Sequence, residues 1–149
     1  GFFVIAPSHT GNTQLDLIAG NADPLLVVAT NRPLDVSFAI DHMLARNADP
    51  ADPFFGTMDA ERIGVSGHSF GGFTAVAVAG GYADVPPDSR VKAIVSVSGA
   101  TRLLAEEDLV NVTVPTLHLG GTKDDVVPIA PSLDFRGPLL ARGGIRYPA

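Results

Sequence analysis

Ser69 stands in Gly67-His68-Ser69-Phe70-Gly71, a Gly-x-Ser-x-Gly pattern, and a serine in this spacing can serve as a nucleophile. The short apolar stretch from Ile63 to Ser66 leads into the pattern, and Thr74-Ala75-Val76-Ala77-Val78-Ala79 follows it as a helix of small residues. That strand–turn–helix order predicts a sharp turn in which the serine backbone is strained and its hydroxyl stands clear above the strand. Gly67 and Gly71 are expected to lack a Cβ because the strand and helix backbones nearly touch there. The backbone N–H of Phe70 is then one donor for an oxyanion. The plain alternative is a glycine-rich turn carrying a solvated serine.

A serine hydroxyl is a weak nucleophile unless an imidazole takes its proton, and a carboxylate must orient that imidazole. The chain has four histidines. His68 adjoins Ser69, and neighbouring side chains in such a turn diverge. His118 alternates with Leu117 and Leu119, which reads as a position within a sheet. His42 falls off the apolar stripe of its helix and is expected to be exposed. His9 lies in a loop, either lining a pocket or simply solvated. Carboxylates follow the strand pattern Pro115-Thr116-Leu117-His118-Leu119 as the pair Asp124-Asp125, which also reads as a turn or a helix cap.

These groups need a scaffold, and composition bounds it. The 149 residues are 46% apolar and 17% charged, which suits one α/β domain with a buried sheet. A net charge of −6 excludes a basic stripe able to replace phosphate counterions, so no nucleic-acid partner is expected. No apolar run approaches the length of a membrane span. The absence of cysteine removes disulfides, thiolate metal sites and a cysteine nucleophile. The chain opens at Gly1 without Met, and strand-like residues begin at once, so it is expected to be a segment of something longer.

In chain order, Phe2-Phe3-Val4-Ile5-Ala6 is a continuous apolar run closed by Pro7, the pattern of a strand buried on both faces of a parallel sheet. Residues Ser8 to Thr13 then form the loop at its C-terminal end. The stretch from Asn21 to Thr30 mixes turn signals with an apolar patch and stays unassigned. Arg32-Pro33-Leu34-Asp35 opens a helix, with Val36, Ala39, Ile40, Met43 and Leu44 on its apolar face. Asn47 to Met58 reads as a loop whose Phe54-Phe55 pair covers the core or lines a substrate lip. Gly80-Gly81 ends the helix after Ser69, Pro86-Pro87 marks a loop, Val91 to Val97 is a strand, and Thr101 to Asp108 a short helix. Beyond Pro131 the pattern has little periodicity. Strands separated by helical stretches indicate βαβ units.

The stretch from Gly67 to Gly72 resembles the nucleophile elbow of α/β-hydrolases. Gly1 to Thr13 is similar to the fourth strand and following loop of one branch, which holds dienelactone-hydrolase-like, platelet-activating-factor-acetylhydrolase-like and cutinase-like proteins. Arg32 to Phe38 resembles that branch's next helix, and Asp59 to Val65 its approach to the elbow. The resemblance spans roughly residues 1–128. It implies an α/β-hydrolase-type, mainly parallel sheet flanked by helices, incomplete at both ends and forming one partial domain over residues 1–149. True dienelactone hydrolases use a cysteine nucleophile, so Ser69 directs this chain to the esterase side.

What the resemblance implies chemically is serine-dependent hydrolysis of a small-molecule carboxylic ester through an acyl-enzyme, with no metal or organic cofactor. Ser69 would be the nucleophile. Gly121-Thr122-Lys123-Asp124 followed by Pro128 matches the family's acid loop, with the acid three residues after the glycine, which selects Asp124 over Asp125. The family order is serine, acid, histidine, and no histidine follows Asp125. The histidine base and the last strand are therefore expected outside this segment. The second oxyanion donor is expected upstream of Gly1, with Ser8 to Thr13 as the minority reading. The segment alone is expected to be inactive and its full-length parent active. A binding or scaffold protein that lacks the base, and an acyltransferase on the same elbow, are the alternatives.

Overall fold

The computed structural model describes residues 1–128, and the stretch beyond Pro131 lies outside them. The chain divides into two compact units, Gly1–Ala60 and Glu61–Ala149.

In the first unit, helix α1 spans Gln14–Ala19 and helix α2 spans Leu25–Ala48. Thr13 and Asp16 form a reciprocal capping box that starts α1, and Gly20 ends it in the left-handed conformation. The α2 helix begins seven residues before the expected start and runs through Pro33. An interior proline removes one helical hydrogen bond, but Val28, Ala29, Pro33, Ala39 and Ile40 are all buried, and burial of that stripe outweighs the local signal. Val36, Met43 and Leu44 on the expected apolar face are half-buried, and His42 is exposed.

The run Phe2–Ala6 is not the buried strand its composition suggests. Phe2 is 99% and Val4 90% exposed, and the segment has no strand assignment. A strand exists only as a member of a hydrogen-bonded ladder, and among the described residues this unit contains no strand to pair with. Phe3 instead meets the Phe54 ring edge-on at 5.4 Å, while Arg46 covers Phe54 at 4.5 Å. Phe55 is 52% exposed, so the aromatic pair splits between a surface cluster and solvent rather than entering the core.

The second unit carries a parallel sheet. Strands β1 (Ile63–His68), β2 (Val91–Val97) and β3 (Thr116–Leu119) lie in the order β1-β2-β3, all parallel. β1 extends past Ser66 because the ladder continues, with Gly67 opposite Ser96 and His68 opposite Val97. Ser96 in turn faces His118 on β3. Helix α3 (Phe70–Gly80) joins β1 to β2 and packs on both. The expected helix over residues 101–108 resolves into a 3-10 turn at Thr101–Leu103 and helix α4 at Glu106–Val110.

Gly72 through Gly80 are all buried, as a helix apolar on every face must be, and the hydroxyl of Thr74 is met within the helix by the Phe70 carbonyl at 2.9 Å. Phe73 is wholly buried, with its ring 5.3 Å from Phe70 and edge-on to Tyr82 at 4.9 Å. Phe73→Ala would leave a cavity beside the Phe70 and Tyr82 rings. It is expected to lower the stability of the protein by about 3–5 kcal/mol, measured by urea denaturation.

Candidate active site

Ser69 occupies the turn between β1 and α3, at the C-terminal edge of the sheet, with φ 54 and ψ −116. Positive φ is uncommon for a residue with a Cβ, and such strain persists only where the surroundings over-determine it. Here the surroundings are backbone hydrogen bonds. The Ser69 N–H donates to the Val97 carbonyl at 2.9 Å, and the Ser69 carbonyl accepts from Gly72, Phe73 and Ala100 at 3.0, 3.2 and 3.1 Å. Ser69 is the N-cap of α3, a position where serine usually spends its hydroxyl on a helix N–H. It makes no such side-chain bond.

The glycines of the turn have unequal roles. A Cβ on Gly67 would collide with the carbonyl carbon and oxygen of Gly71. A Cβ on Gly71 itself would meet nothing within 4 Å. The close approach is therefore one-sided: Gly71 contributes its backbone, and only Gly67 must lack a side chain. The second position that excludes a Cβ is Gly72, where one would lie 2.6 Å from Gly99 Cα and 2.9 Å from Ser96 Oγ. Sequence reasoning passed over Gly72, although the doublet Gly71-Gly72 was its visible signal.

Asp124 lies in the loop after β3, on the same sheet edge as Ser69 and two strands away. Its Oδ1 accepts the N–H groups of Val127 at 2.8 Å and Val126 at 3.0 Å. The Val127 N–H, the Ser98 hydroxyl and the Val126 N–H hold its carboxyl below the ordinary aspartate value, and the nearby His68 adds to this. Asp125 is exposed. Ser98, just past β2, was not singled out from sequence; a serine at a strand's C-terminal end was the available signal.

The four histidines are dispersed. His68 ends β1 and is exposed, while His118 sits in β3 and is half-buried. His42 and His9 belong to the first unit. His9 is not simply solvated: its Nδ1 hydrogen-bonds Asp35 Oδ2 at 2.7 Å, and the side chain is 12% exposed. The α2 extension explains this, since it turns Asp35 from a first-turn residue into a mid-helix partner. Among the described residues no group of three or more His, Cys, Asp or Glu could hold a metal ion, and no helix is long and apolar enough to cross a membrane.

A parallel sheet whose strand enters a strained serine turn and continues into a buried helix defines an α/β-hydrolase. The family model described as PETase: PET hydrolase-like matches residues 24–139, and the chain belongs to that family of hydrolases. No curated protein matches it.

Two measurements check this geometry. Gly72→Ala is expected to cost about 1–3 kcal/mol through overpacking, while Gly71→Ala changes stability by less than ~1 kcal/mol and in the stabilising direction; chemical denaturation separates them. Asp124 titrates lower folded than unfolded, so its contribution to stability is complete above the unfolded value of ~3.9 and disappears as pH falls through the folded one. In acid denaturation, Asp124→Asn is expected to remove that part of the pH dependence below about pH 4.

Proposed function

We propose that the full-length protein hydrolyses carboxylic esters, with Ser69 as nucleophile and Asp124 as the acid of its triad. The observation that carries this reading is the Ser69 backbone at φ 54 and ψ −116, between a parallel strand and a buried helix, with a side chain not engaged in capping. The family's description as PET hydrolase-like supports ester cleavage. The family match also runs across both compact units, which supports residues 1–149 as part of one hydrolase domain.

In this mechanism Ser69 Oγ attacks the ester carbonyl carbon while an imidazole takes its proton. The carbonyl oxygen becomes anionic and accepts the Phe70 N–H, at the N-terminus of α3 where the helix dipole favours negative charge. The tetrahedral intermediate expels the alcohol, which receives the proton from the imidazolium, and an acyl-enzyme remains. Water, deprotonated by the same imidazole, attacks the acyl carbon; the acid leaves and Ser69 is restored. Asp124 stabilises the imidazolium in both halves. The imidazole is assigned to a histidine of the full-length protein outside residues 1–149, following the serine, acid, histidine order.

The test is a fluorophosphonate probe and a short-chain p-nitrophenyl ester. Wild-type full-length protein is expected to label and to turn over, and Ser69→Ala to lose labelling and roughly 10⁴-fold or more of kcat. Absence of both activities in the wild type would leave the hydrolytic reading without support and favour a binding role.

A further inference from the structure

The Ser69 carbonyl is held between two segments. The Gly72 N–H donates to it at 3.0 Å from the first turn of α3, and the Ala100 N–H at 3.1 Å from the loop that leaves β2. The end of β2 supplies a further bond, in which the Val97 carbonyl accepts the Ser69 N–H at 2.9 Å. The N–H and the carbonyl of the strained residue are therefore both bonded to residues 97–100.

These bonds form only if the loop lies against α3, and Gly99 and Gly72 are where the two backbones meet. A Cβ on Gly99 would collide with Ser96 Oγ and lie 3.2 Å from the Gly72 carbonyl carbon. Gly99 is not in the left-handed region, whereas its neighbour Ser98 has φ 41. Glycine thus stands at 99 for space and not for backbone conformation. Ser96 Oγ occupies part of that space. The residue is wholly buried, and its hydroxyl has no hydrogen-bond partner among the described residues.

We propose that Gly99 is a positioning residue for ester hydrolysis. By letting the loop after β2 close onto Gly72, it brings the Ala100 N–H to the Ser69 carbonyl and fixes the backbone from which the nucleophile projects. The inference rests on the role proposed above for Ser69. A side chain at 99 moves the loop away from α3, the Ala100 bond is lost, and the serine turn relaxes. A small misplacement of a reacting group costs rate rather than binding.

The experiment compares Gly99→Ala with Gly80→Ala in the full-length protein. A Cβ on Gly80 would collide with the Asp108 carbonyl oxygen and lie 2.6 Å from Val112 Cγ2, so it overpacks the far end of the same helix without touching the turn. Gly99→Ala is expected to lower kcat about ten- to a hundredfold with KM altered less than about twofold. Gly80→Ala is expected to lose stability but to keep kcat within about twofold. The Ser69 and Ala100 amides should exchange with solvent about tenfold faster or more in Gly99→Ala, and not in Gly80→Ala. Ser96→Ala deletes a hydroxyl that makes no bond, so alone it leaves kcat within about twofold. Combined with Gly99→Ala it removes the nearest obstacle to the new methyl group, and most of the lost kcat is expected to return. Should Gly99→Ala fold too poorly to assay, the double variant is compared with Ser96→Ala; a severalfold lower kcat supports the positioning role and an equal one overturns it. An unchanged kcat in Gly99→Ala, equal losses in Gly99→Ala and Gly80→Ala, or no recovery in the double variant also overturns it. Ser69→Ala separates the two inferences. Full turnover by that variant would sink the catalytic reading and the positioning role with it, whereas an inactive Ser69→Ala beside a fully active Gly99→Ala removes the positioning role alone.

Discussion

The contact between Gly67 and the backbone of Gly71 is the constraint on which the second unit depends. Because Gly67 has no side chain, the first turn of α3 lies directly against the end of β1. The chain can reverse that tightly only if Ser69 takes φ 54, and the Ser69 carbonyl then serves both α3 and the loop after β2. The strain at one residue is held by a hydrogen-bond set that reaches across two strands. Relaxing the turn would break those bonds before it freed the serine.

The same contact fixes where α3 lies. Its buried face is continuous from Gly72 to Gly80, so the helix has no polar side to offer water and is stable only against the sheet. Gly72 brings it onto Gly99 and Ser96, and Gly80 onto the Asp108 carbonyl and Val112. Small residues at both ends let the helix sit close to its neighbours, and Phe73 between them is wholly buried. Tight packing and the exposed chemistry at its N-terminus therefore share one geometric cause.

Features set by local chain geometry were legible in the sequence. The serine turn, β2 and the ends of α3 depend on glycine spacing and on short apolar runs, and those signals are contained within each segment. Features set by distant partners were not. Phe2–Ala6 has the composition of a strand, but composition cannot supply a ladder. Pro33 marks a helix start when its neighbours are considered alone, and only the burial of Val28 and Ala29 shows that the helix begins at Leu25. The His9–Asp35 pair spans 26 residues and has no local signature. Asp124 was selected over Asp125 by resemblance, and the two N–H groups its carboxylate accepts, two and three residues on, are those of the turn that the sequence offered as the other reading.

Asn47 has a consequence for the length of the chain around it. Its side-chain amide donates to the Met58 carbonyl at 3.0 Å and accepts the Met58 N–H at 2.9 Å, while its own carbonyl accepts the Gly56 N–H at 2.9 Å. One side chain thereby closes the loop at its base, as a pair of ladder bonds would close a hairpin. The tip, with Pro50, Ala51, Pro53 and Phe55 exposed, carries none of that closure. Extra residues inserted at the exposed Pro50-Ala51, ahead of the Asp52 carboxylate that Arg46 holds at 2.8 Å, would add the slow logarithmic entropy of a longer loop, about 0.6 kcal/mol for each doubling. The loop is thus a natural insertion port, where a foreign peptide or a small module could be displayed with the clasp intact.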